Sequence, residues 1–258
     1  MPKPVKLAIA QYQAAHLDLE ESLVKLEEIV TKAANEEIKL LVFGETWLSG
    51  YPAWLDHCPE IAQWDHEATK DAYAQLRNSC LEVPGETTKK IGQLARQHKI
   101  AIVIGVNEKV AQGPGNGTIY NSLLTFSTKG QLVNHHRKLM PTFTEKLLYG
   151  QGGGAGLKSA KVDDYSIGGL ICWEHWMPLA RQAMHDAGED VHVAVWPTVF
   201  ERHQIASRHY AFEGRCFVLA AGQLIKATDF PPVLRLPEYL KGNPDQWVCR
   251  GGSCIIDP

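Results

Sequence analysis

The sequence predicts an α/β fold with mixed sheets, on three observations. An alternating apolar run at 5–11, an amphipathic pattern at 19–33 and a short apolar run at 40–43 make a β-α-β opening. Such a unit packs helices against a sheet. Three strand patterns at 100–108, 119–126 and 131–137 then follow one another with only turns between them. Consecutive strands joined by turns pair antiparallel, so the sheet is mixed. Strand and helix patterns finally alternate again between 165 and 221.

Each element has its own local signal. Residues 5–11 alternate apolar with small or polar side chains, the period of a strand. Asp18 caps a helix whose Leu19, Leu23, Leu26, Val30 and Ala33 recur at steps of three and four. Residues 40–43 form a buried strand, and Gly44-Glu45-Thr46 stands at its end. From 47 to 59, Trp47, Tyr51, Pro52 and Trp54 replace helical periodicity with a structured loop. Residues 60–80 and 86–98 read as helices on either side of the turn Val83-Pro84-Gly85. Gly113-Pro114-Gly115-Asn116-Gly117 is a hairpin signal, and Thr128-Lys129-Gly130 is the next turn. The glycine-rich stretch 150–156 lacks the GxxxxGK[ST] pattern of a phosphate cradle and reads as a flexible connection. A strand at 165–172, a helix opened by Pro178 at 178–187, a strand at 191–196, a helix at 201–215 and a strand at 216–221 follow. Residues 226–252 are irregular and proline-rich, and 253–256 start a last strand. With no repeat, low-complexity segment or linker, 1–258 reads as one domain.

Composition limits the function. An apolar fraction of 45% and a charged fraction of 21% in 258 residues are those of a globular chain with a substantial core. The net charge of −3 offers no electrostatic case for nucleic acid or an anionic membrane. No apolar run approaches the roughly 20 residues that span a bilayer. The start, Met1-Pro2-Lys3-Pro4-Val5, lacks the apolar region of a signal peptide. The six cysteines have no CxxC pair or framework spacing, so reduced thiols and a cytoplasmic setting are expected.

One thiol stands out. Cys172 ends the strand at 165–172 and is followed by Trp173-Glu174-His175-Trp176 and a helix start. A strand that ends in a tight turn holds one side chain rigidly, although on this stretch alone burial as a structural cysteine is the simpler explanation of the position. With an ordinary pKa of about 8.5, a thiol needs a base or a cation to become a nucleophile. Eleven histidines are available, and a papain-like Cys–His pair stays open on composition. His135 and His136 project to opposite sides of a strand, while His203 and His209 lie on a helix without ligand spacing. HExxH, CxxC and HxH are absent, so no metal site is expected. Glu45 and Lys138 sit at strand ends equivalent to that of Cys172. The three could converge at one edge of a sheet, although each alone is explained by an ordinary end-of-strand charge.

The motifs around these residues resemble those of the nitrilase (carbon–nitrogen hydrolase) superfamily, in particular its nitrilase branch. Phe43-Gly44-Glu45-Thr46-Trp47 through Gly50-Tyr51-Pro52 is similar to the glutamate motif. His136-Arg137-Lys138-Leu139-Met140-Pro141-Thr142 is similar to the lysine motif, and Gly169-Leu170-Ile171-Cys172-Trp173-Glu174 to the cysteine motif. The family's additional glutamate, seven residues after the lysine, falls on Glu145, and 209–218 also resembles a nitrilase segment. The resemblance implies a four-layer α-β-β-α sandwich, dimerised through a helix face or assembled into a higher homo-oligomer. It also implies a Glu45–Lys138–Cys172 catalytic set without cofactor. Glu45 would be the general base and Lys138 the stabiliser of developing charge. The Trp173 N–H would be a second donor, worth about 3 kcal/mol. Glu145 would orient substrate or Lys138, or relay protons.

The partner expected is a small-molecule nitrile or amide. Trp47, Tyr51 and Tyr149, with Trp176, Trp196, Pro197 and Phe200, lie near the relevant strand ends and are candidate pocket residues, although core packing explains several as well. A nitrilase, an amidase with the same triad and a non-catalytic binding protein on the same scaffold are the three functions to separate. The Cys-Trp-Glu-His-Trp-Met-Pro-Leu segment resembles nitrilases more than aliphatic amidases. Family members continue with further sheet and a tail beyond the Gly-Gly-Ser segment, so a shortened C-terminal edge is expected here.

Overall fold

The computed structural model describes residues 4–258. Residues 1–3, part of the start read above as free of a signal-peptide region, lie outside the described residues. The first sheet has the order β1 (Leu7–Ile9), β2 (Leu40–Val42), β3 (Ala101–Lys109), β4 (Ile119–Phe126), β5 (Leu132–Arg137). Strands β1, β2 and β3 are parallel, and β3, β4 and β5 antiparallel, as the turns require. The second sheet contains β6 (Ala160–Val162), β7 (Tyr165–Ile171), β8 (Val191–Val195) and β9 (Phe217–Ala221). After the separate pair β10 (Leu224–Lys226) and β11 (Trp247–Arg250), β12 (Cys254–Ile256) returns to the free edge of β9. Here β7, β8 and β9 are parallel, while β6 and β12 close the two edges antiparallel.

The period of two along the strands sorts side chains into layers. Leu40, Val42, Ala101 and Val103 join Leu123, Ile167 and Val193 in the core between the sheets. Their neighbours Leu41, Phe43, Ile102 and Ile104 point the other way, onto α1 (Leu19–Asn35) and α3 (Glu86–His98). The second sheet is covered by α4 (Pro178–Ala187) and α5 (Glu201–Gly214) through Ala180, Met184, Tyr210 and Ala211. The layers therefore run α-β-β-α. Each fully buried aliphatic side chain contributes about 1.5–3 kcal/mol. Asp18 caps α1 as expected, accepting from the Glu21 N–H at 2.9 Å.

Three expectations need correction. The helix expected over 60–80 begins only at Glu67, as α2 (Glu67–Ser79). Asp65 has φ of +51°, and the Thr69 hydroxyl bonds the Gln63 carbonyl, so the chain turns before the helix starts. The irregular region 226–252 contains the β10–β11 pair and a short helix, α6 (Glu238–Lys241). Its Phe230, Leu234 and Cys249 cluster with Trp54, Ile61 and Leu76 over the end of the sandwich, an apolar contact that local periodicity does not announce. The glycine stretch 150–156 is docked rather than loose. The Gly152 N–H donates to the Lys138 carbonyl at 2.8 Å, and a Cβ at Gly152 would overlap the Arg137 carbonyl.

Candidate active site

Glu45, Lys138 and Cys172 meet, but not at one edge of one sheet. Glu45 follows β2 and Lys138 follows β5 in the first sheet, whereas Cys172 follows β7 in the second. The site lies where the ends of the two sheets face each other.

Lys138 is fully buried, and its backbone is pinned by N–H donation to the Asn121 carbonyl at 2.8 Å. Its Nζ donates to Glu45 Oε1 at 2.7 Å and to Glu145 Oε1 and Oε2 at 2.9 and 2.8 Å. Burial pulls the ammonium down, but Glu45, Cys172 and Glu145 outweigh it and hold Lys138 above the usual lysine range. Asn121 Nδ2 also donates to Glu45 Oε1 at 2.8 Å, while Glu45 Oε2 has no hydrogen-bond partner among the described residues. Burial, opposed by Lys138 and aided by Glu145, pushes the Glu45 carboxyl up to about 7. Gln223, just beyond β9 of the far sheet, donates its side-chain N–H to the Glu45 backbone carbonyl. Glu145 caps its own short turn by accepting from the Thr142 N–H at 2.9 Å, and also accepts from the Tyr51 hydroxyl at 2.8 Å.

Cys172 opens a short 3-10 turn over Cys172–Trp176 and has φ of +52°, a left-handed conformation that costs a non-glycine residue about 1–3 kcal/mol. The thiol is 5% exposed. Burial first, then Glu45, raise the thiol well above its ordinary pKa, with Lys138 and an N–H from Trp173 opposing. The resting group is a neutral thiol beside a carboxylate whose second oxygen is unpaired. That arrangement can transfer the thiol proton as sulfur attacks.

Two of these ties cross the sandwich, and sequence reasoning missed both. The first is the Gln223 amide. The second is Glu174, whose buried carboxylate accepts from the Ile171 N–H at 2.6 Å, the Leu139 N–H at 2.7 Å and His136 Nε2 at 2.9 Å. Glu174 lies inside the cysteine motif, but its neighbours there carry no sign that two of its partners are at the end of β5, His136 on the strand and Leu139 just beyond it. His135, on the opposite face of β5 as expected, pairs with Glu108 at 2.7 Å.

The aromatic candidates separate. Tyr51 reaches the cluster through Glu145. Trp176 and Phe200 line an open cleft of about 510 Å³ with Trp173, Arg202 and His203. Trp47 and Trp196 instead pack in the interior. Trp47 donates from Nε1 to the Tyr12 carbonyl at 2.8 Å, and Trp196 stacks 4.6 Å from His175. Tyr149 is buried and donates to Asn107 Oδ1 at 2.6 Å, and the Pro197 carbonyl accepts from the Gln223 N–H. None of these four lines that cleft. Among the described residues, no group of three or more His, Cys, Asp or Glu is placed to hold a metal ion, and no helix is long and apolar enough to cross a membrane.

Comparison with known proteins agrees with this architecture. The carbon-nitrogen hydrolase family profile matches residues 6–258. An aliphatic nitrilase from Sinorhizobium fredii is 34% identical over 255 residues, 98% of this chain and 79% of the relative. A bifunctional nitrilase/nitrile hydratase from Lupinus angustifolius is 33% identical over 260 residues, 98% of this chain and 72% of the relative. Among solved structures, a carbon-nitrogen hydrolase from Helicobacter pylori superposes with a TM-score of 0.70 at 16% identity, covering 98% of this chain and 82% of that one. An amidase from Nesterenkonia sp. gives 0.63 at 16% identity, covering 85% and 76%. The two structures share the fold, the two nitrilases share sequence along almost the whole chain, and this protein belongs to the carbon–nitrogen hydrolase family, as an enzyme acting on carbon–nitrogen bonds other than peptide bonds.

Proposed function

We propose that the protein is a nitrilase that converts an organic nitrile and two waters to a carboxylic acid and ammonia, with Cys172 as nucleophile. The observation that carries this reading is the buried Glu45–Lys138–Glu145 cluster, set beside a thiol held in a left-handed turn. Glu45 takes the thiol proton through its unpaired Oε2 as sulfur adds to the nitrile carbon, and that proton passes on to the nitrile nitrogen to give a thioimidate and leave Glu45 ionised again. A first water adds to that carbon, and loss of ammonia leaves a thioester. A second water, deprotonated by Glu45, releases the acid and restores the thiol. Lys138 and the Trp173 N–H stabilise charge on the substrate heteroatom, each such donor worth about 3 kcal/mol. Glu145 keeps Lys138 aimed, and Tyr51 fixes Glu145. The cleft at Trp176 and Phe200 reaches the site only through Trp173, next to Cys172. Its three aromatic side chains would hold an apolar substituent beside the polar ends of Arg202 and His203.

A homodimer through the outer helices fits the same protein. Leu179 of α4 and Ile205 and Phe212 of α5 are exposed, Phe212 by 79%.

Ammonia release from a panel of nitriles and their matching amides tests the activity. Acid and ammonia from nitriles are expected. Ammonia from amides alone indicates an amidase, and none from either class indicates a binding protein. Cys172→Ala is expected to abolish turnover and remove the covalent adduct seen by intact-mass measurement.

A further inference from the structure

Behind Cys172 lies a buried polar chain that the proposed chemistry does not use. His175 Nδ1 lies 2.8 Å from the Cys172 carbonyl oxygen. His175 Nε2 lies 3.0 Å from His192 Nε2, and His192 Nδ1 lies 2.7 Å from Glu189 Oε2. Tyr210 closes the chain by donating its hydroxyl to Glu189 Oε1 at 2.5 Å. Both rings are buried. Gly168 makes room for the acid, since a Cβ there would overlap the Glu189 carboxylate.

Counting protons shows that neutral rings and an ionised Glu189 cannot satisfy these contacts. A carbonyl only accepts, so His175 Nδ1 carries hydrogen, and in a neutral ring its Nε2 is bare. His192 must then donate from Nε2, which leaves its Nδ1 lone pair facing a carboxylate oxygen at 2.7 Å. One further proton resolves the conflict. Burial, and then His192, push the His175 ring well below the ordinary histidine range, so the extra proton does not belong to His175 and the contacts leave it between His192 and Glu189.

Resting on the reading of Cys172 as nucleophile, we propose that His175, His192 and Glu189 are positioning residues that hold one extra proton and direct its positive end at the Cys172 carbonyl. That carbonyl and the Trp173 N–H belong to one peptide group. Hydrogen bonding at the oxygen polarises the peptide and strengthens the N–H as a donor, because linked hydrogen bonds reinforce one another. The chain thereby acts through Trp173 on the charge that develops on the substrate.

Glu189→Gln separates this role from a structural one. A Gln amide can donate to His192 Nδ1 and accept from Tyr210, so every bond survives in a chain with no extra proton. With the nitrile that the wild type turns over fastest, kcat is expected to fall about three- to tenfold while KM stays within twofold. His175→Asn, which keeps a donor near the Nδ1 position but cuts the link to His192, is expected to fall by the same factor and serves if the first variant folds poorly. Nitrogen-15 and carboxyl carbon-13 spectra of the wild type should report either one imidazole ring of this chain with both nitrogens protonated or a protonated Glu189, and Glu189→Gln should show neither. An active wild type with unchanged kcat in either folded variant, or with only singly protonated rings beside an ionised Glu189, overturns the proposal alone. A wild type inactive on every nitrile and amide overturns the nucleophile reading, and this proposal with it.

Discussion

Glu174 accepts the backbone N–H of Leu139 at 2.7 Å across 35 residues of sequence. The same carboxylate accepts the N–H of Ile171, immediately before the thiol. A single side chain thus ties the turn that carries Cys172 to the strand end that carries Lys138, and the two come from different sheets. The relative position of thiol and ammonium is set by this carboxylate as much as by either strand.

Glu174→Ala leaves the buried donors at Ile171 and His136, and the half-buried one at Leu139, without an acceptor. Each such loss costs about 1–3 kcal/mol. Urea unfolding is expected to report at least about 3 kcal/mol of destabilisation, with turnover falling in the protein that remains folded. Stability within 1 kcal/mol of the wild type, which is about the precision needed to resolve one hydrogen bond, would contradict the tie.

The Glu45 carboxyl is held up to about 7 by burial, against the opposing pull of Lys138. Only the ionised form can accept the thiol proton. Below that pH the proton is already on Glu45 and the base is lost, so kcat/KM is expected to rise with pH through about 7. An acid limb at the ordinary glutamate value of about 4.3 would sink this assignment. Glu45→Gln should lack the limb along with the activity.

Lys138 is the only cation bonded to Glu45 or Glu145 among the described residues. Lys138→Met leaves two carboxylates in the interior without their counter-charge. Breaking a buried pair in this way costs about 3–5 kcal/mol. A lower melting temperature together with loss of ammonia release is expected. A variant that loses activity at unchanged stability would show that the pair contributes little to the fold.

Tyr51→Phe removes one donor from Glu145 without changing the shape of the ring. The expected cost is about 1–2 kcal/mol in unfolding free energy, with reduced but measurable turnover. Complete loss would give the Tyr51 hydroxyl a direct part in the chemistry.

Phe212→Asp puts a charge on the exposed face of α5. If that face joins two copies, sedimentation velocity should report a shift to the monomer, since a buried unpaired charge is costly. An unchanged mass would move the interface elsewhere.

Local pattern was enough to recover most of the fold. The alternation in β2 and β3, the Asp18 cap and the turns around β4 depend on neighbours a few residues apart, and so are written into short stretches. Glu45, Lys138 and Cys172 can be picked out as candidates because each stands at a strand end, while Glu145 and the grouping of all four rest on the resemblance of their motifs to the nitrilase superfamily. What no short stretch carries is the packing of one sheet on the other. Convergence from two sheets, the ties from Gln223 and Glu174, and the retreat of Trp47 and Trp196 into the interior all depend on that packing. The same holds for the chain from Glu189 to the Cys172 carbonyl. Cys172 and His175 lie in the turn after β7, Glu189 in the turn before β8, His192 on β8 and Tyr210 on α5, and parallel pairing of β7 with β8 helps bring the rings within hydrogen-bond range.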